Sequence, residues 1–124
     1  GIGIENLEGN GVVGFSTPLA TLHAFQGWGD VFLGTPGSGV RDIYLTGGWN
    51  VPEPPFGQSL SLAAFYHDFE AENAGGSLGS EFDFVATSRL TEHVSLQFKS
   101  AFYDGPAGGP ADRNKFWFAI TVSR

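Results

Sequence analysis

The sequence predicts an all-β fold built on an antiparallel sheet, and three observations lead to this prediction. Apolar and polar residues alternate through several segments, which is typical of strands with two different faces. Residues that favour turns separate these segments, and Gly alone accounts for 19 of the 124 residues. Aromatic residues make up 15% of the chain and charged residues another 15%, and this composition argues against a disordered polypeptide.

Six strands are predicted from this alternation. A short piece over residues 2–7 is the first, and the second is marked by Ile43, Leu45 and Trp49, which alternate with polar neighbours. The remaining four strands are predicted at residues 59–69, 81–90, 94–102 and 116–122.

The links between these strands differ in length in a regular way. Short links at residues 51–57 and 91–93 alternate with long links at residues 9–39, 71–80 and 104–112. Tight turns at one end and long loops at the other are typical of transmembrane β-barrels. The five well-marked strands, which exclude residues 2–7, are also each about as long as the nine to eleven residues that a tilted strand needs to cross a bilayer. Residues 1–124 are therefore predicted to form one segment, about six meandering strands of a larger antiparallel transmembrane β-barrel.

The longest link contains the one predicted helix. Thr17 and Pro18 form a typical helix start, because Thr caps the first turn and Pro is tolerated at the first helical position. Leu19, Leu22 and Phe25 then recur at roughly helical spacing. We therefore predict a helical insertion over residues 17–33 that lies at the mouth of the barrel.

Alternation also predicts which side chains face lipid and which face the lumen. The predicted lipid-facing residues are Phe82, Phe84, Phe98, Phe116, Phe118 and Ile120. The predicted pore-lining residues carry charge and would select small polar or charged solutes: Arg41, Asp42, Glu81, Asp83, Arg89, Lys99 and Lys115. The inserted loop is expected to narrow the passage with His23, Phe25 and Trp28.

Several segments resemble one family of membrane proteins. The resemblance rests on TPLATLHAFQGWGDVFL at residues 17–33, GVRDIY at 39–44, LAAFYHDF at 62–69, GSEFD at 79–83 and KFWF at 115–118. Together these segments resemble the C-terminal portion of the alginate-export-like outer-membrane porins.

The resemblance implies a large single-chain barrel in the outer membrane of a Gram-negative bacterium. Its implied function is the passive diffusion or export of small polar or anionic solutes, and its implied partners are those solutes and outer-membrane lipid. Six strands are fewer than the eight of the smallest single-chain barrels. Further strands of a longer chain, or other chains, are therefore expected to complete the sheet.

Other chemistry is disfavoured by the residues themselves. A net charge of −7 argues against nucleic acid as a partner, and the absence of Cys excludes a thiolate metal site. Glu81 and Asp83 share a face about 7 Å apart, a spacing close to that of glycosidase carboxylates, but such pairs in barrels more often act as lumen charges. His67 and Asp68 point to opposite faces. We therefore predict no enzyme activity, no catalytic residues, no metal and no cofactor.

Two alternatives remain open at this point. One is a soluble or surface-attached β-sandwich that binds carbohydrate through its aromatic residues, in which the two strand faces would be core and solvent. The other is a structural set of strands within a multi-chain envelope assembly.

Overall fold

The computed structural model describes residues 1–14, 26–73 and 75–124 and shows six strands in one antiparallel sheet. Each strand pairs with its neighbours in chain order, so the sheet is a simple meander. The strands are β1 (Ile2–Leu7), β2 (Val40–Asn50), β3 (Ser59–Glu70), β4 (Ser77–Arg89), β5 (Val94–Asp104) and β6 (Arg113–Val122). The predicted all-β, antiparallel character and the six strands are confirmed.

The sheet is open within the described residues. Its two edges are β1 and β6, and these strands do not pair with each other. Closure into a barrel is therefore not a property of this structure.

The predicted alternation of short and long links is only partly present, because β4 begins at Ser77 and leaves a link at residues 71–76 that is shorter than the link at residues 51–58. The loop end carries the connections that follow β1, β3 and β5, and the turn end carries the connections that follow β2 and β4. The turn between β4 and β5 is tight because the Thr91 hydroxyl accepts hydrogen bonds from the backbone N–H groups of His93 and Val94. The Leu90 N–H also donates to the Val94 carbonyl at 2.9 Å.

Two strands begin earlier than the alternation predicts. β4 begins at Ser77 and β6 at Arg113, whereas apolar alternation starts only near residues 81 and 116. These extra residues are mostly small or polar, and they are strand because their backbones pair with β3 and β5. A register shift between Phe69 and Glu70 faces Gly79, whose φ of +107° favours glycine.

The register gives the sheet two chemically different faces. We call one the polar face; its side chains include Glu5, Asp42, Tyr44, His67, Glu81, Asp83, Arg89, Lys99, Tyr103, Arg113, Lys115 and Trp117. We call the other the apolar face; its side chains include Ile4, Ile43, Leu45, Trp49, Leu62, Tyr66, Phe82, Phe84, Phe98, Phe116, Phe118 and Ile120.

The buried apolar cluster lies on the polar face, at the loop end. Phe32, from the long connection between β1 and β2, packs on Phe69 with ring centroids 4.9 Å apart and on Tyr103 at 6.1 Å. Val40 completes the cluster. Within the described residues, the chain therefore covers the loop end of its polar face and leaves large side chains of the apolar face exposed.

The predicted helix over residues 17–33 is wrong where it can be compared. Residues 26–33 form bends and turns, and residues 17–25 lie outside the described part of the chain. Three left-handed residues explain the absence of helix here: φ is +59° at Gln26, +78° at Gly27 and +53° at Asp30. In the part of the chain that is described, no helix is long and apolar enough to cross a membrane.

Candidate functional site

A short segment of the β1–β2 connection lies directly on the polar face. We call this segment, residues 26–32, the strap. Non-Gly residues seldom adopt positive φ, yet Gln26 and Asp30 both do so. These turns bring the backbone N–H groups of Trp28 and Gly29 towards carboxylates of the sheet, as the contacts below show.

The strap is bound to β4 through two carboxylates. Asp83 Oδ2 accepts a hydrogen bond from the Trp28 N–H at 3.1 Å, and Glu81 Oε1 accepts one from the Gly29 N–H at 2.6 Å. Glu81 is 1% exposed and Asp83 is fully buried. A buried acceptor that loses its hydrogen bond is destabilised by about 1–3 kcal/mol, so these two contacts fix the strap along β4.

The strap is bound to β6 through two cations. Lys115 Nζ lies 2.7 Å from Asp30 Oδ2, and the Arg113 guanidinium donates to the backbone carbonyls of Gly29 and Asp30 at 3.2 and 2.9 Å. The polarity of these contacts is opposite to that on β4, since here the sheet donates and the strap accepts.

The strap therefore crosses β5, the strand between those two sets of contacts. Ala101 lies between Asp83 and Lys115 in the register and is fully buried. The small Ala side chain lets the strap pass close to the sheet.

The Trp28 indole adds an apolar contact on the same face. Its centroid lies 5.2 Å from the Phe65 ring, and Lys99 Nζ lies 4.1 Å from the indole centroid. A cation at this distance from an indole face is attracted by the ring quadrupole. Trp28 is thus held between β3 and β5.

A buried histidine connects the acidic side chains near the loop end. His67 Nδ1 lies 2.8 Å from Asp42 Oδ2, and its Nε2 lies 3.8 Å from Asp83 Oδ2. The imidazole also stacks on Tyr44 and on Phe69, with ring centroids 5.5 and 5.6 Å away. This packing indicates a structural role for His67, and Asp68 points to the other face of the sheet.

The half of the polar face towards the turn end has different chemistry. Its strand residues are hydroxyl, amide and small apolar side chains together with Trp117, Lys99 and Arg89, and no carboxylate occurs among them. The acidic groups of this face, by contrast, lie near the strap. The less covered half of the face thus presents cations and neutral polar groups.

The structure brings most of the predicted pore-lining residues onto one face. Six of them share the polar face: Asp42, Glu81, Asp83, Arg89, Lys99 and Lys115. The assignment of Arg41 to this face is wrong. Arg41 precedes Asp42 in a strand and therefore points to the apolar face, where its guanidinium pairs with Glu70 at the loop end.

The other predicted site residues are placed as follows. Phe82, Phe84, Phe98, Phe116, Phe118 and Ile120 all share the apolar face. Of the predicted constriction, Trp28 lies on the polar face, whereas His23 and Phe25 lie outside the described residues.

Sequence reasoning missed two of the side chains that form the contacts between the strap and the sheet. Asp30 and Arg113 were not predicted as site residues, and no pattern marks them because they lie outside the clear alternation. The one available signal is the pair of glycines that flank Trp28, since a side chain at Gly27 or Gly29 would overlap the Glu81 carboxylate.

Residues 1–14, 26–73 and 75–124 contain no group of three or more His, Cys, Asp or Glu side chains placed to hold a metal ion.

No protein-family model, no curated protein and no solved structure matches this chain. The resemblance to alginate-export-like porins therefore stays a prediction.

The Asp42–His67 contact leads to a stability prediction. We expect Asp42→Ala to lower the free energy of unfolding by about 1.5–3 kcal/mol, because the substitution removes a buried hydrogen bond to a carboxylate. Asp68→Ala is the matched control, since Asp68 adjoins His67 but is exposed on the opposite face. Denaturant unfolding followed by circular dichroism measures both variants. Equal losses in the two variants would contradict the role given to Asp42.

Proposed function

We propose that this chain is part of the wall of an outer-membrane β-barrel, which acts as a passive channel for small polar or anionic solutes and not as an enzyme. One observation carries the proposal: within the described residues, the strap covers part of the polar face, and large side chains of the apolar face stay exposed. The opposite arrangement is expected in water, where apolar surface is removed from solvent first.

The bare apolar face supports lipid as its environment. Phe116, Phe118 and Ile120 are 61%, 66% and 61% exposed, and they lie beside other large side chains of the same face. Monomeric soluble proteins rarely expose contiguous apolar patches of more than a few hundred Å². A hydrocarbon environment removes this difficulty, because lipid chains contact the face directly.

The dimensions of the sheet agree with a membrane span. β2 and β5 have 11 residues each, so each is about 36 Å long at roughly 3.3 Å per residue. At a tilt of about 40° such a strand rises about 28 Å, close to the apolar band of roughly 25 Å on outer-membrane barrels.

The two open edges support closure by further strands. Unpaired N–H and C=O groups on β1 and β6 would be unsatisfied in hydrocarbon, so a sheet in a membrane must close on itself. In our proposal the missing strands come from a longer chain or from other chains, which pair with both edges.

A β-sandwich fits these observations less well. It would need a second sheet against the apolar face, and the described part of the chain forms one sheet, with its covering segment on the other side.

The choice of solute follows from the half of the polar face near the turn end. Lys99 and Arg89 lie there among Ser, Thr and Gln side chains, so an anion or a neutral polar solute meets favourable groups. The carboxylates Glu81 and Asp83 instead accept hydrogen bonds from the strap. We therefore propose that the channel prefers anions, although the chain carries a net charge of −7.

Conductance in planar lipid bilayers tests the proposed function. We expect the purified full-length protein to give discrete, lasting current steps, because a closed barrel with a polar interior conducts ions. Protein that has been boiled before reconstitution is the control. Folded protein that inserts into the bilayer and carries no current at any voltage would rule out the channel.

A pair of neighbouring substitutions in β6 tests which face meets lipid. Phe118→Arg places a charge on the apolar face midway along the strand. We expect it to make folding into bilayers less favourable by about 2–4 kcal/mol. Ala119→Arg adds the same charge to the polar face and is expected to be tolerated. Folding into lipid vesicles, followed by the heat-dependent shift on SDS gels, measures both. A larger loss from Ala119→Arg would reverse the assignment of the faces.

A pair of arginines tests the ion preference. Arg89 is exposed on the polar face, whereas Arg41 is exposed on the apolar face. In water, a unit charge about 7 Å away attracts an anion by about 0.6 kcal/mol and repels a cation by the same amount, so Arg89→Gln should lower the anion-to-cation permeability ratio by roughly sevenfold. Arg41→Gln should leave the ratio unchanged. Reversal potentials across a salt gradient at low ionic strength give both values, and equal effects would remove Arg89 from the lumen.

A further inference from the structure

We propose that Glu81 and Asp83 are positioning residues, whose carboxylates hold the strap across the polar face so that the strap sets the width of the passage. Sequence reasoning gave the same two carboxylates a different role, as lumen charges that set ion preference. The part of the proposal that concerns width rests on the proposed channel function. The part that concerns the position of the strap does not.

The contacts of the two carboxylates support a positioning role. Both accept backbone hydrogen bonds from adjacent strap residues, Trp28 and Gly29, and both are at least 99% buried. A carboxyl group that is buried and hydrogen-bonded to the strap cannot be contacted directly by a passing ion. The geometry instead makes each carboxylate an acceptor for the strap.

The strap is held on both sides of β5, so it cannot shift sideways without losing charged contacts. On one side it donates to β4, and on the other Lys115 and Arg113 bind Asp30 and neighbouring carbonyls. A second layer of backbone and side chains occupies about 10 Å above a sheet. A strap in this place therefore narrows any lumen that the polar face lines.

A substitution that changes no charged residue separates the effect of the strap's position from the effect of the Glu81 charge. A Cβ at Gly29 would overlap Glu81 Oε2, so the buried Glu81 carboxylate, whose Oε1 accepts the Gly29 N–H, would have to shift. We expect Gly29→Ala to lower the ratio of docked to undocked strap by roughly tenfold or more. Gly34→Ala is the matched control, because a Cβ at Gly34 meets no atom within 4 Å.

Two readouts follow these variants in the full-length protein. Acrylamide quenching of Trp28, in a Trp49→Phe and Trp117→Phe background, reports whether the strap is docked. Swelling of liposomes in neutral sugars of increasing size reports the size limit of the passage. We expect Gly29→Ala to raise both the quenching and the size limit, and Gly34→Ala to match the parent protein.

A second pair of variants keeps the proposal testable if Gly29→Ala fails to fold. Glu81→Gln removes the charge but keeps an oxygen that accepts the Gly29 N–H, whereas Glu81→Ala removes both. We expect Glu81→Gln to retain the docked strap and the parent size limit, and Glu81→Ala to lose them. If both variants shift the reversal potential equally and neither changes Trp28 quenching or the size limit, the carboxylate acts by its charge and the proposal is wrong.

The same measurements separate this proposal from the proposed channel. A parent protein that admits no sugar and carries no current would refute the channel, while Trp28 quenching would still decide whether Glu81 positions the strap. Conversely, a conducting parent whose Trp28 is equally quenched in all variants would refute the positioning role and leave the channel standing.

Discussion

The backbone hydrogen bonds of the meander are the constraint on which the other features depend. Five antiparallel pairings align the strands so that every second side chain of each strand lies on the same face. A shift of one residue in any pairing would exchange the two faces of that strand. The separation of Phe118 from Lys115, and of Phe82 from Glu81 and Asp83, is therefore a property of the whole sheet.

Electrostatic complementarity explains how a short loop can lie on a charged surface. Buried carboxyl oxygens need donors, because a polar group without hydrogen bonds is destabilised away from water. The strap supplies backbone N–H groups to Glu81 and Asp83, and a carboxylate and carbonyls to the cations of β6. The strap thus presents hydrogen-bond donors to the acidic side chains of β4 and acceptors to the basic side chains of β6. Phe32 and Trp28 add apolar contacts at the same place.

Residues within clear alternation were predictable, and residues outside it were not. Phe116, Phe118 and Ile120 follow one another at every second position, so their common face could be read directly. Arg41 was misassigned because it was selected for its charge, although it adjoins Asp42 in the same strand and must point the other way. The early start of β4 at Ser77 was missed because pairing with β3 determines it, not the apolar pattern.

The sequence by itself determined the class of fold, the number of strands and the chemistry of each face, since period-two alternation is a local property that each strand carries alone. Tertiary structure decided what lies on the polar face. No local pattern links Gly29 with Glu81, or Asp30 with Lys115, because these pairs are 52 and 85 residues apart. They meet only after the meander has brought β4 and β6 to either side of β5, and left-handed turns at Gln26 and Asp30 replace the helix that local propensity favours.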